Sequence, residues 1–115
     1  MPHLYIAAAH KSSGKTTVSI GLTGAMVKRG LEIQPFKKGP DYIDPLWLSR
    51  AAGRPCYNLD FYTQSHDEIC SLFANKLGES GIGLIEGNKG LFDGIDVDGS
   101  DSNAALASML SAPVI

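Results

Sequence analysis

A short apolar segment, a loop of small and polar residues and a helix follow one another at the start of this chain, and this order constrains the fold more than any other feature. Residues 4–9 are apolar without interruption, as in a strand that is buried on both faces of a parallel sheet. Residues 16–29 predict a helix, whose end is marked by two basic residues and Gly30. A strand that leads through a short loop into a helix is the unit of an α/β sheet.

The rest of the chain repeats this alternation. The further predicted elements are a strand, a short helix, a helix, a strand, a helix and the opening of another strand, at residues 31–36, 46–52, 65–77, 81–85, 103–110 and 112–115. Apart from the short helix, residues 37–60 are predicted to be loop. The predicted fold class is therefore α/β, a parallel sheet with flanking helices in three layers, like that of the P-loop NTPases. Because the last strand opens where the sequence stops, we expect residues 1–115 to be the N-terminal part of a longer protein.

Composition excludes several classes of protein. With 43% hydrophobic and 19% charged residues, the chain is neither a disordered tail nor a coiled coil. Ten Lys and Arg against twelve Asp and Glu give a net charge of -2, so no nucleic-acid partner is predicted. No apolar run reaches the ~20 residues of a membrane span, and two cysteines are too few for a disulfide framework. A cytoplasmic protein without a membrane partner is predicted.

A phosphate-binding loop is predicted between the first strand and the first helix. Residues 9–16 match the pattern G-x-x-x-x-G-K-[ST], except that Ala9 stands at the first glycine. In such a loop, backbone N–H groups and the N-terminus of the following helix bind phosphate oxygens. Lys15 is predicted to contact the β- and γ-phosphates of ATP, and the Thr16 hydroxyl to bind Mg²⁺, which prefers oxygen ligands. The predicted ATP-binding residues are Ser12, Ser13, Gly14, Lys15, Thr16 and Thr17. The alternative is a strand-to-helix turn that binds no ligand.

Three carboxylates follow predicted strands and complete this site. Asp41 and Asp44 lie between two prolines after the second predicted strand, and Glu86 ends the third. In an open α/β sheet, the carboxyl ends of the strands face one ligand crevice. The predicted ligands of Mg²⁺ are Thr16, Asp41 and Glu86. The predicted catalytic residues are Lys15, Asp41, Asp44 and Glu86. Taken alone, the two aspartates are also compatible with a surface turn.

Together these segments resemble the glutamine-dependent cobyrinic acid a,c-diamide synthases, a family related to dethiobiotin synthetase. The resemblance covers nearly the whole chain. The segments that carry it are Ser12 to Thr17, Lys38 to Pro45, Gly53 to Pro55, Asn58 to Asp60, Glu86-Gly87 and Gly90 to Gly94. The second and the last of these are the most specific in combination.

The resemblance implies an ATP-dependent carbon–nitrogen ligase. In the family, ATP phosphorylates a peripheral carboxylate of a tetrapyrrole, and ammonia from a C-terminal glutaminase domain displaces the phosphate. This chain would be the ATP-binding part of such an amidotransferase, would lack the glutaminase domain and would be inactive by itself. Asp41, Asp44 and Glu86 would then serve Mg²⁺ and the acyl-phosphate site. The residues expected near the carboxylates of the tetrapyrrole polycarboxylate substrate are Lys37, Lys38, Lys89 and Asp93.

The segment from Glu86 to Gly94 leaves the substrate open. Where the family usually has a small apolar pair, this chain has Asn88-Lys89, which resembles the homologue that is associated with dissimilatory sulfite reduction and with amidation of sirohaem. Cobyrinic acid and sirohaem are therefore both candidate substrates. A dethiobiotin synthetase-like ligase is one alternative function. A positioning or switch ATPase is another, although His10 stands where such ATPases have a second lysine. A homodimer is left open as the assembly.

Overall fold

Strands and helices alternate along the chain, as the sequence predicts. A computed structural model describes residues 2–7, 14–78, 81–88 and 102–115. In chain order, the elements of these residues are β1 (His3–Ile6), α1 (Lys15–Lys28), β2 (Ile33–Lys38), α2 (Asp44–Ala52), β3 (Tyr57–Leu59), α3 (His66–Leu77), β4 (Ile82–Glu86) and α4 (Asn103–Met109). None of these helices combines the length and the apolar character that a membrane crossing requires.

The four strands form one sheet in which all neighbours are parallel. Their order across the sheet is β1-β4-β2-β3, so β4 lies between the first two strands of the sequence. At the free side of β1, the Tyr5 N–H donates to the Pro113 carbonyl over 2.8 Å, and the Ile115 N–H donates to the Tyr5 carbonyl over 2.8 Å. This parallel pairing agrees with the strand opening predicted at residues 112–115. All four strands end at the same edge of the sheet, where the predicted site residues Thr16, Asp44 and Glu86 lie.

Helices cover both faces of the sheet, which gives three layers. The residues packed between the sheet and α1 are Ile6, Ile33, Leu84, Leu22, Met26 and Val27. The residues packed between the sheet and the helices α3 and α4 are Tyr5, Phe36, Ile85, Phe73, Leu77 and Leu106. Helix α2 packs beside α1 and against β2. The predicted fold class, a parallel three-layer α/β sheet of the P-loop type, is confirmed.

Two local features position α3. The Ser65 hydroxyl accepts a hydrogen bond from the Glu68 N–H, and the Glu68 carboxylate accepts one from the Ser65 N–H, which forms a capping box at the start of the helix. Gly83 in β4 allows α3 to approach the sheet closely. A Cβ atom at Gly83 would lie 2.9 Å from His3 Cβ and 3.2 Å from Leu77 Cδ1.

The prediction of loop around residues 37–60 was wrong in part, because β3 lies within it. Its residues Tyr57 and Leu59 pair with Phe36 and Lys38 of β2. A strand of three residues is too short to show an alternating pattern, so pairing with β2 decides its conformation. The short helix in this region begins at Asp44, two residues earlier than predicted, with a proline in its first turn as helices commonly have.

Candidate active site at the carboxyl ends of the strands

Lys37 and Glu86 are brought together by the pairing of β2 with β4. Their Cα atoms are partners in the parallel register, and each residue stands at or next to the last position of its strand. Side chains alternate between the two faces of a sheet, so both point to the α1 face, as Ile33 and Leu84 do. Lys37 is 3% exposed and Glu86 is fully buried. A buried cation and a buried carboxylate therefore meet where the sheet ends.

The Lys37 ammonium lies among three carboxylates. Its Nζ atom is 3.1 Å from Asp44 Oδ2 and 3.4 Å from Glu86 Oε1. Asp41 Oδ2 is farther away, at 3.9 Å. Nζ also donates to the Gly87 carbonyl over 3.0 Å. With the carboxylates ionised, three negative charges surround one positive charge, so this cluster carries a net charge of -2.

Thr16 joins the start of α1 to this cluster. Its hydroxyl oxygen lies 2.5 Å from Glu86 Oε1 and 3.1 Å from Asp44 Oδ2, and donates to these carboxylates. The residue that precedes α1, Gly14, has φ +89°, a left-handed conformation that favours glycine. No side chain of the described residues caps this helix, and its first turn holds no acidic residue. The backbone N–H groups at the start of α1 and the positive end of its dipole therefore face the site, and among the described residues Asp44 and Glu86 contact this turn through the Thr16 hydroxyl.

The buried Glu86 carboxyl and the partly exposed Asp44 carboxyl respond differently to this environment. Burial raises the pKa of Glu86 above its ordinary value, although the Thr16 hydroxyl and the Lys37 charge act against that rise. Burial also acts to raise the pKa of Asp44, but the hydrogen bond and the charge of Lys37 outweigh it, and the pKa of Asp44 lies below its usual value. Glu86 is therefore the carboxylate that gains most from a further cation beside it.

The donor atoms of this cluster fit Mg²⁺ bound together with phosphate. Glu86 Oε2 is buried and has no hydrogen-bond partner among the described residues, so it is available to a cation. Within residues 2–7, 14–78, 81–88 and 102–115, no group of three or more His, Cys, Asp and Glu side chains is arranged to hold a metal by itself. Mg²⁺ is usually bound by one or two carboxylates, waters and phosphate oxygens rather than by a full protein cage. Thr16 and Glu86, with Asp41 or Asp44 beside them, meet that lower requirement.

Asp41 has a structural role as well. Its Oδ1 atom accepts hydrogen bonds from the backbone N–H groups of Ile43 (2.9 Å) and Asp44 (3.3 Å), which orders the turn that begins α2. Its backbone carbonyl accepts from Asn58 Nδ2 over 3.0 Å. Both interpretations of the two aspartates, a turn and a charged site, are therefore present in one arrangement.

The two neighbouring lysines of β2 point to opposite faces. Lys38 lies on the α3 face, with Nζ 5.8 Å from the centre of the Phe61 ring and 3.4 Å from Asn88 Oδ1. Lys37 alone of the pair enters the carboxylate cluster. Lys15, Thr16 and Thr17 form the first turn of α1. The remaining predicted site residues, Ser12, Ser13, Lys89 and Asp93, lie outside the described residues.

Sequence reasoning missed Asn103, which holds the end of β4 in place. Asn103 Oδ1 accepts from the Tyr5 hydroxyl over 2.7 Å and from the Asn88 N–H over 3.1 Å, and Asn103 Nδ2 donates to the Asn88 carbonyl. A Cβ atom at Gly87 would lie 2.6 Å from Asn103 Oδ1, so this position requires glycine. An asparagine in an otherwise apolar segment, directly after the capping Ser102, was the only available signal.

Cys56 lies near the carboxylates but is not activated. Burial, together with the negative charge of Glu86, raises the pKa of the Cys56 thiol to about 12. The thiol is therefore neutral at physiological pH and a poor nucleophile.

Comparison with known proteins identifies relatives over the whole chain. No model of a protein family matches the sequence. Cobyrinate a,c-diamide synthase of Magnetococcus marinus is 54% identical over 115 residues, which cover 100% of this chain and 25% of that protein. The enzyme of the same name from Syntrophotalea carbinolica is 44% identical over 99% of this chain and 25% of its own length. Hydrogenobyrinate a,c-diamide synthase of Brucella anthropi is 44% identical over 100% of this chain and 26% of its own length.

Each alignment covers essentially all of this chain, so the aligned region includes the elements that build the carboxylate cluster. The chain spans about a quarter of the length of the curated relatives that it matches. Over its whole length the chain is similar to proteins of the cobyrinate a,c-diamide synthase family.

Proposed function

We propose that this chain is the ATP-binding part of a corrinoid a,c-diamide synthase, which activates two carboxylates of a tetrapyrrole for amidation. One observation carries the proposal. Thr16 in the first turn of α1, Glu86 at the end of β4 and the buried Lys37 meet within hydrogen-bonding distance at the edge of a parallel sheet. This is where α/β proteins bind ligands. The 54% identity to a cobyrinate a,c-diamide synthase supports the same assignment.

The start of α1 is proposed to bind the phosphates of ATP. Its first N–H groups have no capping side chain among the described residues, and Lys15 adds a cation beside them. Mg²⁺, held by Thr16 and Glu86 with Asp41 nearby, would supply charge neutralisation to the transferring phosphoryl group. The two positive charges of Mg²⁺ would offset the net charge of -2 that the cluster of Lys37 and the three carboxylates carries without it. Charge balance and donor chemistry therefore support the same cofactor pair, ATP and Mg²⁺.

Lys37 is proposed to orient the reacting groups. Its ammonium is held by hydrogen bonds to Asp44 and Gly87 and is nearly shielded from water. A carboxylate of the substrate that approaches the phosphate end of α1 meets this fixed positive charge. The charge is already in place before reaction, so it stabilises the negative charge that develops during transfer without reorganisation. Lys38 points away from this position and is expected to contact the substrate less directly.

The names of the relatives favour a corrin-type substrate. They are cobyrinate and hydrogenobyrinate a,c-diamide synthases, so we propose one of these macrocycles ahead of sirohaem. The proposed ammonia source is glutamine, hydrolysed by a glutaminase domain that would correspond to part of the relatives' length outside the matched quarter. ATP would be cleaved to ADP and phosphate for each amide that forms. A cytoplasmic location stays a prediction.

The test is amidation by the full-length protein. Hydrogenobyrinic acid, ATP, Mg²⁺ and glutamine are incubated together, and mass spectrometry follows the conversion of two carboxyl groups to amides. Lys15→Ala should lower turnover at least tenfold, because each charge-assisted hydrogen bond to phosphate contributes roughly 2–3 kcal/mol. Lys28→Ala, at the exposed far end of α1, is the matched control. Amidation without ATP, or full activity of Lys15→Ala, would contradict the proposal.

A further inference from the structure

A group of large apolar side chains stands exposed at the start of α2. These side chains, here termed the α2 patch, belong to Tyr42, Ile43, Leu46 and Trp47, which are between 53% and 81% exposed. Single exposed apolar residues are common on soluble proteins, but contiguous ones mark binding surfaces. Helix α2 buries Leu48 and Ala52 on its inner side, so its packing against the described residues does not use the α2 patch.

The α2 patch forms one side of a shallow cavity. Ile43, Leu46, Trp47 and Arg50 line an open cavity of about 480 Å³. Their spacing of three, four and seven residues places them on one face of a helix. Arg50 stands at the far end of this face and makes no ion pair with any of the described residues. The cavity therefore has an apolar centre and a free cation at one end.

The opposite end of the α2 patch adjoins the carboxylate cluster. Asp44, the first residue of α2, contacts both Lys37 and Thr16. Trp47 follows Asp44 by three residues, so their Cβ atoms are about 5–6 Å apart. Arg50 follows Asp44 by six residues, which corresponds to about 9 Å along the helix axis. A ligand that lies over Trp47 with one edge at Arg50 thus has its other edge beside the carboxylate cluster.

We propose that the α2 patch binds the ring face of the tetrapyrrole substrate, while Arg50 pairs with one of its peripheral carboxylates. This inference rests on the proposed function, since it assigns a surface to the substrate of the same site. A macrocycle rimmed with carboxylates is apolar over its faces and anionic at its edge. Aromatic and branched aliphatic side chains match the face, and a guanidinium matches a carboxylate with two parallel hydrogen bonds.

Charge distribution favours this occupant over a protein segment. Arg50 is a cation at one end of the α2 patch, and a ligand with an apolar centre and an anionic edge is complementary to that arrangement. A covering helix or a second copy of the chain would leave Arg50 in need of a separate acidic partner. The experiment therefore distinguishes two occupants of the α2 patch, the tetrapyrrole substrate and a covering protein segment.

The experiment measures binding of hydrogenobyrinic acid to the full-length protein by isothermal titration calorimetry, with ATP binding measured separately. Trp47→Ala should weaken macrocycle binding at least tenfold, which corresponds to about 1.4 kcal/mol. Trp47→Phe should restore most of the affinity, because a ring remains for stacking. Arg50→Gln should weaken binding severalfold. Each variant should bind ATP like the parent, and Val18→Ala, which trims an exposed apolar residue on α1, should change neither affinity.

The outcomes separate this inference from the proposed function. If the parent protein binds ATP but no macrocycle, both fail. If the parent binds the macrocycle and Trp47→Ala binds it equally well, the proposed function stands and the α2 patch assignment is overturned. A change of oligomeric state or a lower melting temperature in Trp47→Ala, with unchanged macrocycle affinity, would show that protein covers the α2 patch and would overturn the assignment too. Loss of macrocycle affinity with unchanged ATP binding and unchanged melting temperature supports it.

Discussion

Replacing Lys37 by methionine removes the ammonium that lies among Asp41, Asp44 and Glu86 while keeping most of the side-chain volume. Nζ lies 3.1 Å from Asp44 and 3.4 Å from Glu86, and Lys37 is 3% exposed. Without it, the fully buried Glu86 carboxylate keeps only the Thr16 hydroxyl as a hydrogen-bond donor among the described residues. The variant should therefore fold less stably, because a buried charge has lost its counter-ion.

Loss of one partner of a buried ion pair typically costs about 3–5 kcal/mol. The lower end applies here, since the Asp41 and Asp44 side chains are 28% and 25% exposed and water screens part of their charge. We expect the free energy of unfolding at neutral pH to fall by about 3 kcal/mol in Lys37→Met. This is a large fraction of the stability of a domain of this size.

The deficit should depend on pH. The pKa of Glu86 is raised in the folded protein above its usual 4.5, so the folded state holds this proton more tightly and the contribution of Glu86 to stability falls as pH rises above 4.5. Loss of Lys37 raises the pKa of Glu86 further. The free energy of unfolding of the variant therefore continues to fall at higher pH, with a slope of up to about 1.4 kcal/mol per pH unit. The pKa of Asp44 is lowered below 3.8 largely by Lys37, and that stabilisation, present above pH 3.8, is also lost. The Asp44 part of the deficit should thus already be present above pH 3.8, and the Glu86 part should add to it as pH rises above 4.5.

Urea denaturation between pH 4.5 and 8, followed by circular dichroism in metal-free buffer, measures this deficit. Two variants serve as controls. Lys28→Met changes an exposed lysine and should shift stability by less than about 0.5 kcal/mol. Lys37→Met combined with Glu86→Gln should be more stable than Lys37→Met alone by about 1–2 kcal/mol, because the unpaired buried charge is gone. The reasoning is refuted if Lys37→Met behaves like Lys28→Met, or if its deficit is the same at both ends of the pH range.

Three further substitutions test other parts of the site and fold. Asp41→Asn keeps the turn hydrogen bond to Ile43 but removes a charge, so amidation should need more Mg²⁺ for half-maximal rate; an unchanged Mg²⁺ titration would leave Asp41 as a turn residue only. Tyr5→Phe removes one hydrogen-bond donor from the buried Asn103 and should lower the free energy of unfolding by about 1–2 kcal/mol in urea denaturation. An unchanged free energy of unfolding would show that the hydrogen bond between Tyr5 and Asn103 does not stabilise the fold. Ser65→Ala should cost about 1 kcal/mol in urea denaturation. The pKa of Glu68 is lowered first by the backbone N–H of residue 65, which alanine keeps, and then by the Ser65 hydroxyl, so in an NMR titration it should rise only in part; no rise would contradict a role of the hydroxyl.

Much of the fold follows from local patterns in the sequence. The apolar residues 4–9, the basic end of α1 and Gly30 predict the first strand and helix because these signals depend only on neighbours along the chain. The cap at Ser65 is local in the same sense. That Asp44 and Glu86 face one crevice also follows from the sequence, since the carboxyl ends of parallel strands share an edge.

The chemistry of the candidate site depends on contacts that no local pattern specifies. The sequence offers Lys37 and Lys38 equally, and the register of β2 with β4 decides that Lys37 enters the cluster with Glu86, because successive side chains of a strand point to opposite faces. The strand order β1-β4-β2-β3 creates that register, since it places residues 33–37 beside residues 82–86. Asn103 binds Asn88 for the same reason, as two segments distant in sequence become neighbours. Sequence by itself determined which residue types were available at the strand ends; only the packing of the sheet decided which of them touch, because pairing between distant strands is fixed by the whole core and not by any one segment.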